Sequence, residues 1–353
     1  MTTEGAEALV PAARSERGLV ASADAPFSAQ GMRRYLPGLT VAGLGTLAAV
    51  HLADQYGAPL TLMALLIGLS LNFLSTDERL APGLTFSSGT LLRLCIVLVG
   101  LRVTLAQIAE LGPLTLIALI VIAACTVGTG IVAARWLRCG AGFGILAGGS
   151  VAICGASAAM ALFATLGERH VNKAQLSLVL VGISALSPLA MIVYPIVAHE
   201  LGLDAGQAGF LLGAAIHDVA QALGAGYSMS PEVGDTAAIV KLGRVILLAP
   251  LLLIVALLCR ARSEGGVRPR LLPWFIAGFL LLVIANSLGF VPKEIARFGA
   301  ASTTPLLACA VTATAIQSRL SGFHKSGVRP FLVLVAATLV AFALSLLAVY
   351  VVL

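Results

Sequence analysis

Apolar residues occur along the chain in long runs that are separated by short polar joints. Most runs are about 18 residues or longer, enough for a helix to cross the roughly 30 Å hydrocarbon core of a bilayer. Joints such as "STDER" (75–79) and "GERHVNK" (167–173) leave no room for a soluble domain. The pattern predicts an all-α polytopic membrane protein with eleven spans, at residues 36–54, 58–74, 89–110, 112–137, 141–167, 172–201, 204–228, 234–260, 271–291, 302–319 and 328–353.

Composition supports the same class. Of 353 residues, 59% are hydrophobic and 11% are charged, whereas a soluble chain carries about 25% charged residues. The six cysteines form no CxxC pair, so we expect no metal, redox centre or cofactor. Residues 1–34 lack the apolar core of a signal peptide and predict a disordered cytoplasmic tail ahead of a membrane domain at 35–353.

The distribution of Lys and Arg predicts the orientation of the spans. With the N-terminus inside, most cations near span ends fall on the cytoplasmic side, and the outer side holds Arg169, Lys173, Lys293 and Arg297. An odd number of spans then places the C-terminus outside. The net charge of +6 therefore reflects topology, and the expected partner is the lipid bilayer rather than nucleic acid.

Two pairs of segments suggest an internal repeat. "ALLIGLSLNF" (64–73) resembles "GFLLGAAIHD" (209–218), and "LLRLCIVLVG" (91–100) aligns with "IVKLGRVILL" (239–248). The first match places Asn72 over His217, and the second places Arg93 over Lys241. The shared offset covers five spans, and an odd number inverts the second copy in the membrane. We expect two inverted five-helix repeats, at about 58–201 and 204–353, plus one extra N-terminal helix.

Small and hydroxylated residues interrupt two of the spans. "GGSVAICGASAAMA" (148–161) lies in the fourth span of the first repeat, and "FGAASTTPLLACAVTATA" (298–315) lies in the fourth span of the second. Such segments at matching positions predict crossing broken helices whose free N–H groups face a ligand. Ordinary close packing of small residues is the alternative. The substrate-binding candidates are Gly148, Gly149, Ser150, Cys154, Gly155, Ser157, Ser302, Thr303 and Thr304.

Ionisable residues inside apolar spans form the second group of candidates, because such residues are rare there and often functional. "AAIHDVAQALGAGY" (214–227) carries a histidine beside a carboxylate, which can titrate near neutral pH and so couple transport to protons. A buried pair that only fixes helix packing is the alternative. The cations are expected either to attract an anion, to neutralise Asp218, or to snorkel towards an interface. The coupling or site-lining candidates are Asn72, Arg93, His217, Asp218, Gln221, Lys241 and Arg244.

Several of these segments together resemble a known family. "GGSVAICGASAAMALFATL", "GAAIHDVAQALGAG", "IVKLGRVILLAPLLL" and "ALLIGLSLNFL" look like the YeiH-like family of bacterial inner-membrane proteins, which are described as sulfate exporters. The resemblance covers about residues 36–353. It implies the fold of the cation:proton antiporter and anion transporter superfamily, with a panel domain and a core domain that holds two crossing broken helices.

These features together predict a secondary active transporter in the bacterial inner membrane. It would move a small anion, such as sulfate, a related oxyanion or an organosulfonate-derived anion, by alternating access with proton or cation coupling. A cation:proton antiporter with Asp218 as the ion ligand is the alternative. An intramembrane enzyme is disfavoured because HExxH and paired acidic ligands are missing, and a non-transporting scaffold would leave costly polar groups unused. Assembly as a homodimer stays open.

Overall fold

The described part of the chain is helical throughout. The computed structural model describes residues 29–258, 273–318 and 328–352, and no strand occurs within those ranges. The short segments are a 3-10 turn, Asn72–Thr76, and a helix, Leu105–Glu110. The main helices are α1 (Ala29–Tyr56), α2 (Leu60–Ser70), α3 (Ala81–Val99), α4 (Gly112–Trp136), α5 (Ala141–Ala152), α6 (Ala156–Leu166), α7 (Lys173–Glu200), α8 (Ala205–Ala215), α9 (Val219–Met229), α10 (Pro231–Leu258), α11 (Trp274–Ser287), α12 (Lys293–Ile316) and α13 (Val328–Val352).

Seven of the described helices are long and apolar enough to cross a membrane, namely α1, α3, α4, α7, α10, α12 and α13. The predicted class, a helical protein with several membrane spans, is confirmed at this level. The predicted tail falls mostly on residues 1–28, which lie outside the described ranges, and α1 begins within it at Ala29.

Polar residues at the predicted joints begin several helices. Asn172 accepts the N–H of Gln175 at the start of α7, and Asp204 accepts the N–H of Gln207 at the start of α8. Each of these side chains satisfies an N–H group that has no partner inside the helix. The Ser230 side chain likewise accepts the N–H of Val233 at the start of α10. This cap explains why α10 starts earlier than the predicted residue 234.

The span predicted at 89–110 is shifted in the structure. Helix α3 begins at Ala81, passes through a π-helical turn at Phe86–Leu91 and ends at Val99. Thr104 then starts the separate helix Leu105–Glu110 through a capping box with Gln107. The apolar residues around Gly100 and Leu101 hid this break, although Arg102 and the capping pair of Thr104 and Gln107 mark it in the sequence.

Two spans are broken in their middle, and only one of them was predicted. The run 141–167 is interrupted at Ile153–Gly155, where Gly155 has a φ of +65° that favours glycine. The run 204–228 is interrupted at Ile216–Asp218, which is extended backbone. The second broken helix predicted at 298–315 is wrong, because α12 is continuous there. Pro305 lies inside α12 and removes only one backbone donor.

Close packing explains most of the glycines of the first broken span. A Cβ on Gly130 of α4 would lie 2.6 Å from the Cα of Gly148 of α5, so the two backbones touch. A Cβ on Gly149 would lie 2.5 Å from Cδ1 of Leu162. Small residues allow such approach between apolar helices. The packing alternative therefore applies to Gly148 and Gly149.

The helices associate in two groups. Helices α4, α5, α8 and α13 pack on one another, with α10 against α8 and α9, while α1, α2, α3 and α12 pack together with α11 against α3. Helix α9 links the groups because it also contacts α2 and α12. Both breaks therefore lie in the first group, next to the link to the second.

Candidate functional site

The two breaks meet each other inside the first group of helices. A Cβ on Gly155 would lie 3.8 Å from the carbonyl oxygen of His217 and 3.9 Å from the nitrogen of Asp218. The C-terminal ends of α5 and α8 and the N-terminal ends of α6 and α9 therefore come together. A helix end carries roughly half an elementary charge, negative at the C-terminus and positive at the N-terminus.

Lys241 of α10 joins the two breaks. Its side chain is fully buried, and Nζ donates to the carbonyl oxygens of Ile153 at 2.9 Å, Ile216 at 2.7 Å and His217 at 2.5 Å. An ammonium group has three N–H donors. Lys241 therefore uses all of them on backbone carbonyls that the broken helices leave without partners.

Arg244 lies one turn further along α10 and completes the connection. Its Nε and Nη2 donate to Ala152 and Val151 at the end of α5, and Nη1 donates to Gly213 and Ile216 at the end of α8. These contacts account for its five N–H donors, and the residue is 1% exposed. The two cations thus stabilise the negative C-terminal ends of both half-helices, which is a different role from direct anion binding.

Asp218 occupies the N-terminal end of α9. Its Oδ1 accepts the N–H of Ala220 at 2.8 Å, and its own backbone N–H donates to Ser187 Oγ of α7 at 3.1 Å. A carboxylate at this position neutralises the positive helix end. Asp218 is therefore a helix cap within the break, whereas the sequence suggested a residue on a continuous helix.

The N-terminal end of α6 has no carboxylate cap. Gly155 precedes it and has no side chain to cap it, and the Cys154 thiol lies against the backbone N–H of Ala158 in its first turn. Ala156 and Ser157 in its first turn are exposed, and the Ser157 hydroxyl makes no hydrogen bond to the described residues. Among the side chains placed at the crossing, two cations face one carboxylate, and the four helix ends cancel one another. With Lys241 and Arg244 protonated and Asp218 ionised, the crossing has about one positive charge in excess, next to a helix end whose first N–H groups have no partner inside the helix.

His217 and Gln221 bring unpartnered polar atoms to the same region. Thr338 of α13 donates its hydroxyl to Leu334, so it accepts the N–H of His217 Nε2, 2.7 Å away. In the neutral imidazole, Nδ1 then carries a lone pair, and it is buried without a partner among the described residues. Gln221 is 2% exposed, and its Oε1 has no partner within the same ranges. Buried polar atoms normally have a hydrogen-bond partner, so these two mark a place where a polar ligand could bind.

Several predicted site residues lie elsewhere or have other partners. The Ser150 hydroxyl donates to Leu146 within α5, and Cys154 is buried in the core beside the break. Thr303 donates to Gly299, and its carbonyl oxygen accepts from Cys95 Sγ of α3, so Thr303 lies against the second group of helices. Ser302 and Thr304 flank it on the continuous helix α12.

Two further predicted site-lining residues also lie away from the crossing. Asn72 donates to the carbonyls of Ile316 and Ser318 at the end of α12. Arg93 is exposed on α3, which agrees with the snorkelling alternative. Of the three cations considered, only Lys241 and Arg244 are at the breaks.

Sequence reasoning missed the partners Thr338 and Ser187 and the break at Ile216–Asp218. One signal for the break was present. Asp218 and Gln221 have the same spacing as Asn172 and Gln175, which begin α7. A capping residue followed three positions later by Gln predicts a helix start even in the middle of an apolar run.

Comparisons with known proteins show which family the chain belongs to. The model of the family described as Conserved hypothetical protein 698 matches residues 36–334. The UPF0324 membrane protein TauZ of Paracoccus denitrificans is 41% identical over 86% of this chain and 91% of its own length. A UPF0324 membrane protein of Chlorobaculum tepidum is 42% identical over 86% of each chain, and one of Rhizobium meliloti is 39% identical over 92% of this chain and 94% of its own.

No solved structure matches the chain. The family match and the similarity to TauZ over nearly the whole membrane region agree with the resemblance found in the sequence. The chain belongs to the YeiH-like membrane-protein family described as Conserved hypothetical protein 698, or UPF0324.

Proposed function

We propose that this protein is a secondary transporter of a small anion, which binds at the N-terminal end of α6. The observation that supports this most strongly is the charge at the crossing of the broken helices. Lys241 and Arg244 are buried there, and Asp218 is the only carboxylate that caps one of the described half-helices at the crossing. Burying an unbalanced positive charge is costly, and a bound anion would balance it.

The donors for that anion would be backbone N–H groups and the Ser157 hydroxyl. Lys241 and Arg244 have no N–H left for a ligand, so they would act through their charge and by holding the two breaks in place. A helix N-terminus is a ready anion site because its N–H groups and its dipole both point at the ligand. A small oxyanion such as sulfate, or the anionic end of an organosulfonate, fits these donors.

Transport follows from the position of the site. Broken helices are tolerated within a membrane where they are buried or line a cavity. The crossing belongs to one group of helices and lies beside the α9 contacts to the other. Movement of the first group against the second would open the site alternately to each side. The proposal also includes a location in the bacterial inner membrane, with eleven spans and a cytoplasmic N-terminus. It includes assembly as a homodimer as well.

Proton coupling would involve His217. A proton on its buried Nδ1 would add positive charge beside the anion, so uptake of the proton and of the anion would favour each other. A cation:proton antiporter would instead need the Asp218 carboxylate as an ion ligand. That carboxylate already accepts the N–H of Ala220 and lies beside two cations, which favours the anion.

Flux in proteoliposomes tests the proposal. We expect exchange of sulfate or of another small oxyanion in a panel, faster with a pH gradient, and no transport of Na⁺ or Li⁺. Ser157→Ala should reduce anion flux several-fold because it removes a donor at the helix end. Ser302→Ala is the matched control on α12, next to Thr303, which contacts α3, and its flux should equal that of the wild type.

Cation flux without anion flux would contradict the proposal and support the antiporter. Equal loss of anion flux in Ser157→Ala and Ser302→Ala would contradict the position of the site.

A further inference from the structure

One end of α4 and the start of α13 form a basic groove that the proposed transport site does not use. The groove has a volume of about 240 Å³ and is lined by Trp136, Leu137, Arg138 and Arg329. Both arginines are exposed, and Trp136 is 85% exposed. Neither arginine forms a salt bridge with any residue in the described ranges. The groove therefore presents two guanidinium groups beside an exposed indole.

The backbone of Arg138 is strained. Its φ of 58° is the only positive φ of a non-glycine residue in the described ranges. Cys139 donates its N–H to Ala134 at 2.8 Å, and Leu137 donates to Ala133 at 2.9 Å, so Arg138 occupies the left-handed position of a helix C-terminal motif. Glycine is the usual residue there, because a side chain makes this conformation costly.

The strain indicates that the side chain of Arg138 has a use at this position. A cation near the end of α4 stabilises the helix dipole, but Arg135 already provides one in the last turn. Strain at a single residue is a reason to look for a function. The neighbouring Arg329, from the start of α13, supplies the second positive charge.

We propose that this groove binds the headgroup of an acidic phospholipid. Guanidinium groups match the oxygens of a phosphate with paired hydrogen bonds. Helices α4 and α13 are candidate membrane spans, so their ends lie where headgroups lie, and tryptophan is enriched at that depth. Basic pockets between membrane helices are typical sites for acidic headgroups.

A lipid fits the groove better than a free phosphate ion does. The apolar side chains next to the arginines continue onto α4, where Val132 is 51% exposed and the groove is lined by Leu137. An acyl chain would cover this surface, whereas an inorganic ion would leave it in contact with other lipids. The apolar surface therefore favours a ligand that has both a phosphate and a hydrocarbon chain.

Thermal unfolding of the purified full chain in detergent tests the proposal. Phosphatidylglycerol added to the micelles should raise the melting temperature by several degrees, whereas phosphatidylcholine and inorganic phosphate should not. Arg138→Gly and Arg329→Gln should each lose most of that shift. Arg93→Gln is the matched control, because Arg93 is exposed on α3, away from the groove. It should keep the full shift.

Arg138→Gly also separates binding from folding. Glycine relieves the left-handed strain, so without acidic lipid this variant should melt at or above the wild-type temperature. Its loss of the lipid response then reports lost binding. A full phosphatidylglycerol response in both Arg138→Gly and Arg329→Gln, or an equal response of the wild type to phosphatidylcholine or inorganic phosphate, would overturn the proposal.

Discussion

Arg244 directs all five of its N–H donors at carbonyl oxygens of the two breaks, and Lys241 directs all three of its own. These carbonyls belong to helix ends that have no partner of their own. Hydrogen bonds from charged donors are stronger than those from neutral ones. At the scale of single residues, the crossing therefore depends on two side chains from one turn of α10.

At position 244, the number of N–H donors, and not only the charge, should determine the stability of the protein. Arg244→Lys keeps the charge but has too few N–H groups to reach both α5 and α8. We expect a loss of about 3 kcal/mol in the free energy of unfolding, since buried acceptors lose charged donors. Chemical unfolding in detergent measures it, with Arg93→Lys as the exposed control. Wild-type stability of Arg244→Lys would contradict this role.

We expect protonation of His217 to cause the pH dependence of transport. Protonation of its Nδ1 adds positive charge beside Lys241 and Arg244, which a bound anion would offset, so wild-type exchange should rise as the pH falls. His217→Gln can still donate to Thr338 but cannot take up a proton. Exchange rates measured across pH should become flat in this variant while its melting temperature is retained. An unchanged pH profile would remove His217 from the coupling step.

At the scale of helices, the sequence indicated the first break but not the second. Three glycines and two serines within ten residues marked the run that contains α5 and α6. The run that contains α8 and α9 was assigned to one helix because its apolar pattern is continuous, although Asp218 can begin a helix there. The small and hydroxylated residues of 298–315 suggested a second break, but α12 is continuous there with Pro305 inside it. Which hydroxyl groups are free could not be predicted, because serine and threonine often bond to their own helix.

The contact of α4 with α5 should be sensitive to one added methyl group. In Gly130→Ala the new Cβ would lie 2.6 Å from Gly148 Cα, and backbone cannot easily give way. We expect a loss of about 1–3 kcal/mol in stability. Gly128→Ala on the same helix is the matched control, because its Cβ meets nothing within 4 Å, and it should be neutral or stabilising by up to about 1 kcal/mol. Equal effects of the two variants on unfolding would refute the contact.

At the scale of the whole molecule, one ion pair among the described residues connects the two groups of helices. Arg102 follows α3, and its Nε lies 3.0 Å from Oδ1 of Asp235 on α10. The guanidinium also lies over the ring of Tyr227 of α9, whose hydroxyl donates to the same carboxylate at 2.7 Å. If the first group moves against the second, this contact has to open.

Asp235→Asn should weaken the contact of Arg102 with α9 and α10, and so increase local opening there. Hydrogen exchange followed by mass spectrometry should show faster exchange at the end of α9 and the start of α10, and unchanged exchange in α4 and α5. Glu232→Gln is the control, because Glu232 is an exposed acid in the first turn of the same helix. Wild-type protection of Asp235→Asn at the end of α9 would show that the ion pair does not hold the two groups together.

Protection of a cysteine at position 157 by the transported anion tests the central claim most directly. In a background without the native cysteines, Ser157→Cys in proteoliposomes should react with a small aqueous thiol reagent, because the proposal places the exposed first turn of α6 in a water-filled site. A transported anion should slow that reaction several-fold, and Ser302→Cys should show no such protection. Reaction of Ser157→Cys at the same rate with and without the anion would contradict an anion site at the start of α6.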